Sequence, residues 1–217
     1  MKTIYIVFSA TPYKMGRMIR TVLHSRYNHI SLAFDEDLST MYSFARFHVN
    51  FPLYGGFVTE SLRRHFNGGH SSLIKVCRLE IKDENYRCLR QFVSDMESNG
   101  GRYIYNFYSA MFTPLHIRCL IRDSYTCSEF VGDALSIAGL DIPRGTFHSL
   151  KKTERILSPF VIYEGECALY ADAPDWGSDH FPEKMGRISG TAATARSFGR
   201  LTARAVLGLF AALLYNF

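Results

Sequence analysis

The sequence predicts an α+β fold with a mainly antiparallel sheet, and three observations carry it. Residues 4–8, 27–34, 41–46 and 73–81 are short apolar segments with the length and patterning of strands. Residues 86–96 and 127–138 instead carry their apolar side chains at i, i+3, i+4 and i+7, the stripe of a helix with one buried face. Strands and helices come in runs rather than in strict alternation, as expected of an antiparallel sheet partly covered by helices. At 217 residues, with 47% hydrophobic and 21% charged, the chain can bury a sizeable core.

Taken in order, residues 4–8 form a buried strand and 9–12 the loop that leaves it. Residues 15–23 form a short basic helix carrying Arg17 and Arg20. In the next strand Ile30, Leu32 and Phe34 take one face, and His29, Ser31 and Ala33 the other. The aliphatic face belongs to the core, so His29 points to the opposite side among small neighbours. Asp35-Glu36-Asp37 makes a turn, and residues 41–46 return as a second strand. A three-residue loop pairs Phe34 with Leu38 and sets Ser43 opposite His29. A five-residue loop sets Ala45 there and leaves Ser43 diagonal.

Residues 55–60 form a short strand or turn, and 73–81 a further strand. Asp83 caps a helix that stops at Asn99-Gly100-Gly101. An aromatic stretch, Tyr103, Tyr105, Phe107 and Tyr108, leads into the helix at 127. Beyond it, residues 160–163 and 168–170 read as strands flanking a turn at Gly165. Residues 172–190 are polar, with Pro174, Gly177, Pro182 and Gly186, and read as a surface loop or linker. The predicted organisation is a body over 1–171, a loop or linker over 172–191, and a C-terminal amphipathic and apolar helix over 192–217.

Chemistry concentrates at the helix over 127–138. Thr126 followed three residues later by Glu129 is a capping box, which makes Thr126 the N-cap and Cys127 the first helical residue. Gly139 and Pro143 supply the stop. The thiol is thereby set among orphan N–H groups at the positive end of the helix dipole, a setting that favours a thiolate. The competing reading is a buried cysteine that fills the core. His29 supplies the other half of a thiol hydrolase: the cysteine attacks, and the imidazole takes its proton and returns it to the leaving group. His24, His48, His65, His70, His116, His148 and His180 all sit in loops or poorly patterned stretches, where solvation is the usual explanation. No phosphate loop, zincin or serine-elbow motif is present, and no cofactor or metal site is predicted.

Five cysteines, at 77, 88, 119, 127 and 167, are odd in number and form no C-x-x-C pair. That argues against a disulfide framework and a structural zinc site, and for a reducing compartment. The apolar run at 4–8 is too short for a signal-peptide core, so a cytoplasmic protein is expected. A net charge of +5 spread along the chain gives no nucleic-acid footprint. Arg196, Arg200 and Arg204 repeat at i+4 ahead of an apolar run over 205–215. A spanning helix needs about 20 apolar residues, so this run is too short. Three dispositions stay open for it: docking on the body, self-association, or peripheral membrane contact.

Asn28-His29-Ile30-Ser31-Leu32-Ala33, the acidic turn, Tyr42-Ser43-Phe44, and then Tyr125-Thr126-Cys127-Ser128-Glu129-Phe130-Val131 resemble the circularly permuted branch of the NlpC-type, papain-like cysteine hydrolases. Lecithin:retinol acyltransferase-like enzymes share the permuted order, in which the histidine strand precedes the cysteine. The resemblance covers roughly residues 4–170. It implies a papain-like fold with Cys127 as nucleophile and His29 as base, acting on a small peptide, an amide or a lipid ester. The family places a third polar residue on the strand after the histidine strand, to orient the imidazole. Ser43 stands at about that position here, with Glu60 as the alternative.

Overall fold

The computed structural model describes residues 1–67, 70–146, 149–170, 181 and 183–215. Its first half holds β1 (Lys2–Ser9), α1 (Lys14–Leu23), β2 (His29–Ala33), β3 (Met41–Arg46) and β4 (Gly55–Glu60). The two-residue strands β5 (Phe66–Asn67) and β6 (His70–Ser71) follow, then β7 (Leu73–Ile81) and α2 (Asp83–Ser98). The second half holds β8 (Ile104–Tyr105), α3 (Phe107–Phe112), β9 (Ser124–Tyr125), α4 (Cys127–Ile137), α5 (Leu150–Leu157), β10 (Val161–Glu166) and α6 (Arg187–Tyr215). Six strands form one sheet in the order β10-β7-β1-β2-β3-β4, and each neighbouring pair runs antiparallel. The architecture is therefore α+β.

β1 is apolar throughout because both of its faces are covered. Ile4, Ile6 and Phe8 join the larger core, and Tyr5 and Val7 the smaller one on the other side. The larger core is closed by α2 and α4, whose Leu89, Val93, Phe130, Val131 and Leu135 pack against Ile30, Leu32 and Phe44. Each such side chain contributes roughly 1.5–3 kcal/mol on burial. Phe130 lies at the centre of this layer, with ring centroids 5.7 Å from Phe44, 5.8 Å from Phe57 and 5.8 Å from Phe92. This packing fixes α4 across β2 and β3 and thereby places the residue at its start.

Four details differ from the sequence reading. β2 pairs with β3 through Leu32–Tyr42 and Ala33–Met41, a register that, run back along the strands, sets Ala45 opposite His29. The loop is thus the five-residue one. Leu38 inside it takes a φ of 55° and buries its side chain completely, so the turn cannot close as early as Asp37. Second, the helix after β7 is preceded by Lys82, with Asp83 inside its first turn rather than capping it. Third, Gly165 continues β10 instead of turning it. Tyr163 folds over that glycine, and a Cβ there would lie 2.7 Å from the Tyr163 hydroxyl. Residues 168–170 fall in a 3₁₀ turn and its end, not in a strand.

The fourth difference concerns the predicted linker. Of that stretch, residues 172–180 and 182 lie outside the described residues. Phe181 is buried, and its carbonyl accepts the Val49 N–H at 3.1 Å. Asn50 pairs with the Met185 backbone through both amide atoms, at 2.9 and 3.2 Å. At Phe181 and Met185, therefore, the backbone is anchored to the body. α6 begins at Arg187, five residues earlier than its apolar pattern suggests, and Leu201 on its inner face is fully buried. Among the described residues, no helix is long and apolar enough to cross a membrane.

Candidate active site

α4 starts at Cys127 because the capping box is closed in both directions. Thr126 Oγ1 accepts the Glu129 N–H at 3.3 Å, and Glu129 Oε2 accepts the Thr126 N–H at 2.7 Å. Arg118 braces the same carboxylate, with Nε 3.4 Å from Oε1. The first N–H groups of the helix have no acceptor within it and are directed past Cys127.

His29 opens β2, the strand on which α4 packs. Its Nε2 lies 2.8 Å from Glu60 Oε1 and 3.1 Å from Oε2, so that nitrogen carries the proton toward the carboxylate. Cys127 lies beside the same ring, since both residues line one arm of the cleft, and its influence on His29 adds to that of Glu60. The three residues therefore form one line: thiol, imidazole, carboxylate.

Glu60 ends β4, across β3 from the histidine strand, and its side chain is fully buried. Ser31, two residues beyond His29 on the same face, donates its hydroxyl to Glu60 Oε1. Arg64, also buried, sits 3.1 Å from Oε2. Its guanidinium in turn stacks on the Phe181 ring, 4.5 Å from the centroid. Removing one partner from such a buried charged cluster typically costs about 3–5 kcal/mol, because the other charge is left unpaired.

These contacts set the charge states. Burial works against a charge on His29, but the Glu60 carboxylate and the hydrogen bond with Cys127 carry it well above the ordinary imidazole value. Burial alone would raise Glu60, yet His29 and Arg64 hold its carboxyl well below the usual range. The buried pair is thus a protonated His29 held against the Glu60 carboxylate, which keeps a proton donor beside Cys127.

Ser43 does not touch the imidazole. Its hydroxyl donates to the Ile30 carbonyl at 2.7 Å, the consequence of the five-residue loop that shifts it off the position opposite His29. The orienting contact is made by Glu60, which the sequence offers only as the alternative. Among the competing histidines, His65 is fully buried rather than solvated, and its ring lies 6.5 Å from that of His29. His148 and His180 lie outside the described residues.

Two arms of a cleft meet at Cys127, of about 490 and 520 Å³. Met18, Ile19, Asn28, Tyr105, Met111 and Cys127 line both. One arm continues past Leu150 and Lys151, the other past His29, Arg46, Leu53 and Phe198. The walls are mostly apolar, with Met18 and Met111 exposed at the rim.

Asn28 is held unusually firmly at this junction. Its Oδ1 accepts the Thr11 N–H at 2.9 Å and Arg20 Nη1 at 2.7 Å, and its Nδ2 donates to Thr11 Oγ1 at 2.8 Å. Two donors on the oxygen define which end of the amide is which. Burial, and then the charge at Cys127, raise Tyr105 far above the ordinary phenol value, so it stays a neutral donor. Sequence reasoning passed over Arg64, Tyr105 and the roles of Asn28 and Ser31. Only Ser31 was within its reach, through the alternation it shares with His29.

No family model matches the chain, and no curated protein and no solved structure was found to match it.

Proposed function

We propose that the chain is a cysteine hydrolase or acyltransferase on a circularly permuted papain-like fold, acting in the cytoplasm on an amide or ester. The observation that carries this reading is the buried line Cys127–His29–Glu60 at the meeting point of two cleft arms. A structural cysteine needs neither an imidazole beside it nor a carboxylate clamping that imidazole.

In the first step Cys127 Sγ bonds to the substrate carbonyl carbon, and the carbonyl π pair moves onto oxygen. That oxyanion is taken by the Cys127 N–H at the helix start and by the second N–H of Asn28 Nδ2. Collapse restores the carbonyl and breaks the bond to the leaving nitrogen or oxygen, which takes the proton from His29. Water, or an acceptor alcohol or amine, then attacks the thioester and gives its proton to His29, while Cys127 departs as thiolate. Glu60 holds the ring in place and balances the imidazolium throughout. The apolar walls favour a substrate with an apolar group on at least one side of the scissile bond: a small peptide, a simple amide or a lipid ester.

The test is acylation by an activated ester. On exposure to p-nitrophenyl butyrate, intact mass should rise by one butyryl group, located at Cys127, with a matching burst of nitrophenolate. Cys127→Ala should show neither. A protein with no adduct at Cys127 is the non-catalytic binding or scaffold protein that stands as the rival reading.

A further inference from the structure

We propose that the projecting end of α6, with the arginines at its base, is a docking surface for an anionic lipid membrane. Among the described residues, the last hydrogen bonds that fasten the helix to the body are those of Arg204. Arg200 Nη2 donates to the Gly101 carbonyl at 3.1 Å. Arg204 Nη2 donates to the Arg102 carbonyl at 3.0 Å and Nη1 to the Asp123 carbonyl at 3.2 Å. The Arg196, Arg200, Arg204 stripe is therefore not a free basic face: two of its three members hold the helix down.

Beyond that clasp the helix changes character. Val206, Leu207, Leu209 and Phe210 are 43, 68, 66 and 60% exposed, and a Cβ added at Gly208 would meet nothing within 4 Å. At about 100° per residue these four side chains fall within one arc of about 160°, a broad apolar face rather than a narrow seam. No Asp, Glu, Lys or Arg occurs after Arg204. At about 1.5 Å per residue the segment 205–215 is roughly 16 Å long, about half of a hydrocarbon core of about 30 Å. That length is enough to enter one leaflet.

The base of this segment is strongly cationic. Arg102 and Arg122 approach the Asp123 carboxylate at 2.9 and 3.6 Å, and their side chains are 50 and 81% exposed. Arg102 and Arg122 share that one carboxylate, and Arg200 and Arg204 bond the backbone carbonyls of Gly101, Arg102 and Asp123 beside it, so four guanidiniums gather where the apolar segment leaves the body. Burial and then the neighbouring Arg200 push Arg204 down from its ordinary value, a sign of that crowding. Arginines just outside an inserted apolar segment meet lipid phosphates, each worth about a fivefold gain in affinity on an anionic surface. A second copy docked on the same segment would bring its own arginines toward this ring.

The test uses the full chain and vesicles of phosphatidylcholine with or without phosphatidylglycerol, read by co-sedimentation. The protein should bind the anionic vesicles at least tenfold more tightly than the neutral ones, and salt should weaken binding. The double variant Leu207→Asp and Phe210→Asp should abolish binding, and Arg122→Gln should weaken it about fivefold on anionic vesicles only. Thermal melts should match wild type, since these side chains are exposed. Failure to bind either vesicle overturns the proposal. So does equal binding by the double variant, or a concentration-dependent dimer that the double variant dissolves while vesicles go unbound.

Discussion

At the scale of single residues, the imidazole of His29 is the pivot, and two predictions follow from what holds it. The first concerns pH. His29 is raised above its ordinary 6.5, so its contribution to stability is full below that value and is lost as pH rises through the folded-state value. Glu60 is lowered below its ordinary 4.5, so its contribution is full above that value and is lost as pH falls through the folded-state one. Both are complete only between about pH 4.5 and 6.5. The gap in urea midpoint between wild type and Glu60→Gln should therefore be widest there and narrow toward alkaline pH. Ser43→Ala, which removes only the bond to the Ile30 carbonyl, should cost about 1 kcal/mol with no such pH dependence. The second prediction concerns Asn28. Alkylation by iodoacetamide forms no oxyanion, whereas acylation by a p-nitrophenyl ester does. Asn28→Ala should slow acylation of Cys127 by about 100-fold and leave alkylation within about twofold. An equal fall in both rates would show that Asn28 only positions the site.

At the scale of elements, the sequence was legible wherever a local signal decided the outcome. The capping box at Thr126 and Glu129 marks the start of α4 to the residue, because both of its hydrogen bonds lie within one turn. Alternation in β2 assigns His29 and Ile30 to opposite faces without knowledge of any other strand. What it could not supply was register. Three- and five-residue loops between β2 and β3 are equally compatible with Asp35-Glu36-Asp37, and the choice is made by the burial of Leu38. The resemblance puts the orienting residue on β3, where Ser43 stands, and only the register turns its hydroxyl to the Ile30 carbonyl and leaves the imidazole to Glu60. Gly165 misled in the same way: a glycine between apolar residues reads as a turn, while its purpose is to leave room for the Tyr163 hydroxyl. Gly190 is the comparable case in α6, since a Cβ there would lie 2.1 Å from the Phe51 ring. Gly190→Leu should destabilise by about 1–3 kcal/mol through overpacking, and Phe51→Ala in the same chain should restore part of it. Equal urea midpoints for Gly190→Leu and wild type would mean that α6 is not seated on Phe51.

At the scale of the whole molecule, the sheet and α4 bring together residues that are far apart in the chain, and one wall of the resulting cleft belongs to α6 through Phe198. That convergence is why the site was only half visible in the sequence. Cys127 and His29 each announce themselves locally, whereas Glu60 reaches the imidazole, Arg64 reaches Glu60 and Phe181 reaches Arg64 only through tertiary packing. The same packing separates Cys127 from the other thiols. Burial pushes Cys77 and Cys167 up to about 12, and Cys119 is raised by burial as well. Cys88, being exposed, is the fair benchmark for an ordinary thiol. The most direct measurement is the rate of iodoacetamide labelling at each cysteine, resolved by peptide mass, in wild type, His29→Ala and Ser43→Ala at pH 6. Cys127 should be labelled well ahead of Cys88 in wild type and in Ser43→Ala, and should fall to the rate of Cys88 or below in His29→Ala. Labelling of Cys127 no faster than Cys88, or unchanged by loss of His29, would contradict the pairing on which the account rests.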